Sequence, residues 1–135
     1  MAKIEFKGID EYAEKLAKLG ARAEGVCKYA VYEAAGIVAD AIRASTPEDT
    51  GDLRDSLALT LFRNENGFIY TKVSFEGYDR GGTPNAIKAA VLESGSSTRK
   101  KHPFIRPAVN RVKKAVEISI ETRLNEKIDE IMKEG

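Results

Sequence analysis

Ser45-Thr46-Pro47-Glu48-Asp49-Thr50-Gly51-Asp52-Leu53-Arg54-Asp55-Ser56-Leu57 is the stretch in which the chain changes its period. Before it, Ile9, Tyr12, Ala13, Leu16 and Leu19, then Ala23, Val26, Ala30, Ala34, Ile37, Val38, Ala41 and Ile42, recur at helical spacing. That stripe predicts one long N-terminal helix, capped by Asp10 and bent near Gly20 or Gly25. Pro47 ends it, because proline drives Thr46 towards extended backbone and has no N–H to donate. Beyond the turn at 48–51 the period falls to two. Leu57, Leu59 and Leu61 alternate with Ala58, Thr60 and Phe62, and after Asn64-Glu65-Asn66-Gly67 so do Ile69, Thr71, Val73 and Phe75 with Tyr70, Lys72 and Ser74. Two alternating runs around an Asn/Gly segment predict a β-hairpin.

Outward from this centre, Ile4 and Phe6 suggest a short N-terminal strand. On the other side, 76–84 holds too many glycines for a regular element and reads as an exposed, mobile loop. A short helix is expected over 85–93, closed by Gly95. A basic loop follows, then a final helix from Ile105 carrying Val109, Val112, Val116, Ile120, Leu124, Ile128 and Ile131. The expected fold is α+β: a long N-terminal helix and a C-terminal helix packed on a small antiparallel sheet containing the hairpin. Leu57, Leu59, Ile69, Val73, Phe104, Val109 and Val112 are the expected core.

The 135 residues suit a single domain spanning 1–135. Lys plus Arg number 22 against 21 Asp plus Glu, so no overall field drives the chain onto nucleic acid or membrane, and any electrostatic role is local. Cys27 is the only cysteine, which excludes an internal disulfide or a cysteine zinc cluster, and its apolar neighbours predict burial. No apolar run is long enough for a signal peptide or membrane span, so synthesis in the cytoplasm is expected.

Constellations for catalysis are missing. His102 is the only histidine and stands in the basic loop without a neighbouring nucleophile, which does not make a triad. Glu48, Asp49, Asp52 and Asp55 crowd one turn, but their spacing is not that of a calcium loop, and Arg54 lies among them. The glycines before Thr83-Pro84 lack the lysine of a phosphate-binding loop. No enzyme activity and no cofactor or metal is expected.

The basic run is more informative. Arg99, Lys100, Lys101, Arg106, Arg111, Lys113 and Lys114 occur with no acid between 99 and 114. Such a run is often a solvated face, yet it can also bind an acidic protein surface or nucleic-acid phosphates. Without tryptophan or interleaved aromatic side chains it is unsuited to reading bases.

The opening stretch, with Pro47, Thr50, Gly51, Leu53, Arg54 and Ser56, resembles the Pro, Thr-Gly, x, Leu-Arg, x-Ser motif of phage tail-completion and head-tail joining proteins. A second motif agrees: Glu93-Ser94-Gly95-Ser96, then Pro103-Phe104-Ile105-Arg106-Pro107-Ala108, is similar to that family's Glu, x, Gly-Thr and Pro-Phe-(Leu/Ile)-Arg-Pro-Ala. The order of elements also matches over nearly the whole chain. Ser96 replaces the usual Thr, and the glycines of 79–84 replace a simpler lead into the short helix.

The resemblance implies a structural subunit of the neck or tail end that forms a ring, often hexameric, of copies of itself between tail-tube and head-connector proteins. It implies location in the bacterial cytoplasm during assembly and then in the virion, encoded by a phage or a prophage. Read physically, Pro47 and Gly51 shape a corner that Leu53 anchors, Pro103 and Pro107 set the start of the last helix, and Phe104 fills the core. The basic residues are the candidate partner contacts, including non-specific contact with DNA. A small nucleic-acid-binding protein using 99–114 is the alternative function.

Overall fold

A computed structural model describes residues 10–47, 51–65 and 68–134. Its fold is α+β. Helix α1 (Asp10–Leu19) passes through a 3-10 turn (Gly20–Arg22) into α2 (Ala23–Ser45). Then come a short α3 (Asp52–Asp55), strands β1 (Leu57–Leu59), β2 (Arg63–Glu65), β3 (Phe68–Tyr70) and β4 (Val73–Phe75), and helices α4 (Asn85–Ser94) and α5 (Ile105–Glu134). The expected N-terminal strand at Ile4 and Phe6 lies outside the described residues.

The N-terminal helix breaks at Gly20, whose φ of +60° belongs to the left-handed region. This kink lets Leu16 and Leu19 of α1 fold back onto the helices behind them.

Helices α2 and α5 run antiparallel and form the body. Their inner faces are fitted by size: Ala30, Ala34, Ala35 and Ala39 of α2 are buried, which lets the larger side chains of α5 approach its backbone. Two cores sit along the pair. In the first, Ala39 and Ile42 meet Ala108 and Val109, together with Leu53, Leu57, Phe75, Ala89, Phe104 and Ile105. In the second, Val26, Cys27 and Ala30 meet Leu124 and Ile128, with Ile69 and Ile120 at the margin. An ion pair at 2.7 Å between Arg123 of α5 and Glu33 of α2 adds a polar tie between the helices.

The hairpin exists but is not regular. β1 pairs antiparallel with β4, placing Leu57 opposite Phe75 and Leu59 opposite Val73. β2 pairs with β3, placing Arg63 opposite Tyr70. Between these ladders Thr60, Leu61 and Phe62 on the outgoing side face only Thr71 and Lys72 on the return, so the outgoing strand carries a bulge. The bulge is held by Thr60, whose N–H donates to the Lys72 carbonyl at 2.8 Å and whose Oγ1 accepts the Lys72 N–H at 2.8 Å.

A one-residue offset reverses the faces of a strand. Leu61, which alternates in phase with the expected core residues Leu57 and Leu59, is therefore 78% exposed, and Phe62 turns in instead. The Phe62 ring lies 6.3 Å from that of Tyr32, and its N–H donates to the Tyr32 hydroxyl at 2.5 Å. Leu59 is 37% exposed, against the expectation of burial. Leu57, Phe104 and Val109 are buried, Ile69 and Val73 are half-buried at the margins of the cores, and Val112 is half-buried as well.

Candidate assembly surface

The corner after α2 is built from its own side chains. Thr46 takes extended backbone (φ −68°, ψ 128°), as a residue before proline must, and its Oγ1 donates to the Ile42 carbonyl at 2.7 Å, closing the helix. Pro47 is exposed, and Thr50, with Glu48 and Asp49, lies outside the described residues. Gly51 is buried with φ +85°, a conformation that costs little without a Cβ, and it starts α3. Leu53 then drops into the first core, while Arg54 bonds Asp55 at 3.1 Å on the outside.

The second motif is a helix cap made at a distance. The N–H groups of Phe104, Ile105 and Arg106 donate to the Glu93 carboxylate at 2.7, 2.8 and 2.9 Å. Pro107 is the third residue of α5 and has no N–H to satisfy, and Ala108 donates to the Phe104 carbonyl to begin the helix. One carboxylate from α4 thus satisfies the donors that the start of α5 leaves unpaired. Burial acts to raise the Glu93 pKa, but the three N–H donors and the Arg106 charge outweigh it, and the net shift is downward. Phe104 is buried against Phe75, with ring centroids 5.9 Å apart, and Pro103 stays exposed.

Gly95 links this cap to the basic loop. Its φ of 78° and ψ of 179° suit glycine almost alone, and a Cβ there would lie 3.1 Å from both the Arg99 carbonyl oxygen and the Lys101 nitrogen. The loop is closed by the Ser96 N–H on the Arg99 carbonyl and by the His102 N–H on the Leu92 carbonyl. His102 itself is exposed. Arg99, Lys100, Lys101, Arg106, Arg111, Lys113 and Lys114 are all exposed on this frame. Arg111 also donates to Ser45 Oγ at 2.8 Å, joining α5 to the end of α2. Among the described residues, Arg99, Lys100, Lys101, Lys113 and Lys114 enter no ion pair.

The glycine-rich loop is largely exposed, as expected, and Asp79 organises it from within. Asp79 Oδ1 accepts the N–H groups of Gly81 and Thr83 at 2.9 Å, and the Asp79 N–H donates to the Thr83 carbonyl. The Thr83 N–H bond, with help from Lys88 and Gly81, holds the Asp79 carboxyl below its ordinary pKa against desolvation. Arg80 grips Asp52 through Nε and Nη2 at 2.9 and 2.8 Å, pinning the loop to α3. This pairing also answers the acidic turn: Asp52 binds Arg80 and Asp55 binds Arg54. The aspartate-before-glycine signal for such a turn is present in the sequence, whereas the partnership across the fold has no local signature.

Other chemistry is limited. Burial raises the pKa of the Cys27 thiol and so disfavours the thiolate. Among the described residues no three His, Cys, Asp or Glu side chains converge to hold a metal ion, and no helix is long and apolar enough to cross a membrane. What stands out is the exposed cationic surface, held by the cap of α5 and by Gly95.

A family model described as "Bacteriophage HK97-gp10, putative tail-component" matches residues 10–95. The match includes the corner motif and Glu93, and it stops before the cationic surface. No significant match was found among curated proteins or among solved structures.

Proposed function

The chain belongs to the HK97-gp10-like family of bacteriophage tail components, and from that premise we propose that it is a non-enzymatic structural subunit that assembles as a ring at the head-tail junction or tail end. In this role it completes or joins the tail by touching copies of itself, the tail-tube protein and the head connector. Assembly takes place in the bacterial cytoplasm, and the mature location is the neck or tail of a phage or prophage particle.

The observation that carries this reading is how the motif residues are used. Leu53, Glu93, Gly95 and Phe104 are engaged in packing, capping and loop closure, and what they hold outward is charge: Arg99, Lys100, Lys101, Lys113 and Lys114. Exposed cations that enter no ion pair among the described residues are suited to binding an acidic face or phosphates by long-range attraction. Contact with DNA would be non-specific, since Phe104, the aromatic residue of the run, is buried and cannot stack on a base.

The test is deletion of the gene from the phage, followed by electron microscopy and complementation. Heads and tails that accumulate unjoined or with unfinished ends, and are rescued by the intact chain, are the expected result. Normal infectious particles after deletion would sink the proposal.

A further inference from the structure

Charge is sorted along α5. Between 99 and 114 there are seven cations and no carboxylate, and between 115 and 135 six carboxylates stand against three cations. A helix of this length covers about 45 Å, several times the Debye length of about 8 Å in physiological salt, so its two ends cannot neutralise one another within one molecule. Glu126 and Glu130 are engaged by Arg123 and Lys127, whereas Glu121 and Asp129 are exposed and enter no ion pair among the described residues.

Exposed apolar residues stand on α4 and on α5. Helix α4, which leads into the basic loop, exposes Ala86, Ile87 and Ala90, with Ile87 56% open to solvent. Its two charged residues are used internally, Lys88 by Asp79 and Glu93 by the start of α5. A helix that is apolar on both faces, in a chain that is 32% charged, has a face that lacks its cover. On α5, Ile118 is 55% exposed one turn before Glu121.

We propose that the cover is a second copy of this chain. The face made by Ile87 and loop 99–101 docks on the outer face of a neighbour's α5, with the cations against Glu121 and Asp129 and Ile87 against Ile118. This rests on the ring reading above and names the two surfaces that a ring requires. Because the surfaces differ, one on α4 and loop 99–101 and the other on α5 between Ile118 and Asp129, the contact is head-to-tail and can repeat around a closed circle. Charge sets the polarity, since like ends repel, and the isoleucines supply a desolvated centre.

Two charge reversals test the contact: Arg99→Glu, Lys100→Glu and Lys101→Glu together at one end, and Glu121→Lys with Asp129→Lys at the other. All five side chains are exposed, so thermal unfolding of both variants is expected to match the parent. Sedimentation velocity at low salt is expected to show parent self-association that salt weakens, and association weaker by roughly tenfold or more in each variant alone. Mixing the variants is expected to restore it, because each then offers the other the opposite sign.

Equal association of the parent and both variants would overturn the charge-guided contact while leaving a ring intact. A parent that stays monomeric at every concentration would overturn it too, and particle imaging then decides the ring separately, by whether copies adjoin one another at the neck or tail end. Duplex DNA binding lost in the first variant, with self-association unchanged, would overturn it as well and assign the loop to nucleic acid.

Discussion

Glu93 Oε2 accepts the N–H of Arg106 at 2.9 Å across thirteen residues of sequence, so the last turn of α4 caps the first turn of α5. The same carboxylate takes the N–H groups of Phe104 and Ile105, which makes one side chain responsible for the direction in which the longest helix leaves the fold.

Glu93→Gln is expected to cost about 1 to 2 kcal/mol, the range for losing a charged cap at a helix N-terminus. The pH dependence follows from the lowered pKa. A carboxyl whose pKa is lower folded than unfolded stabilises the native state above its unfolded value, near 4.5, and loses that contribution as pH falls through the folded value. Denaturant unfolding between about pH 3 and 7 checks this. The parent is expected to weaken on the acid side more steeply than the variant, and parallel curves would refute the cap's electrostatic role.

Gly95→Ala is expected to cost about 1 to 3 kcal/mol, since alanine is strained at that backbone conformation. Its methyl would also meet backbone atoms at 3.1 Å, which move less readily than a side-chain end. Amide exchange at Ser96 and His102, whose N–H groups close the loop, is expected to quicken along with the loss of stability. A variant as stable as the parent would show that the loop closes differently.

Asp79→Ala is expected to release loop 79–83 with a modest loss of stability, because the N–H groups of Gly81 and Thr83 lose their acceptor. Arg80→Ala is expected to cost less than Asp79→Ala, because the Arg80 side of its pairing with Asp52 is open to water. Hydrogen exchange at Gly81 and Thr83 distinguishes the two, and unchanged protection in Asp79→Ala would mean the aspartate does not organise the turn.

Leu124→Ala and Ile128→Ala are each expected to cost about 2 to 5 kcal/mol, as large side chains deleted from a fully buried site. Leu61→Ala is expected to stay within about 0.5 kcal/mol of the parent. Equal losses at Leu61 and Leu124 in equilibrium unfolding would show that the hairpin has no bulge and that Leu61 points inward.

The helices were legible because their apolar residues repeat locally, and Pro47 with Thr46 announces the end of α2 through backbone constraints carried by the residues themselves. The hairpin was legible for the same reason, but its bulge was not. The leucines at 57, 59 and 61 alternate without interruption, and only the hydroxyl chemistry of Thr60 with the pull of Tyr32 on Phe62 shows which residue is extra. The break at Gly20 was one of two readable options. Contacts such as Glu93 with Arg106 or Asp52 with Arg80 join residues that no period connects, so their partnership emerges only when the chain is folded. The motif residues were identified as a set, but that Glu93 is a cap and Gly95 a close approach depends on distances in space.

Val26 and Ile128 share a core although nearly the whole described chain separates them. During translation the alanine face of α2 therefore waits, uncovered, until α5 has emerged from the ribosome, whereas the hairpin and α3 can form early from near neighbours. Such distant closure slows folding and leaves apolar surface open to other nascent copies. The kinked α1, synthesised first, adds Leu16 and Leu19 to the margin of the same core, so its packing too is completed only when α5 arrives.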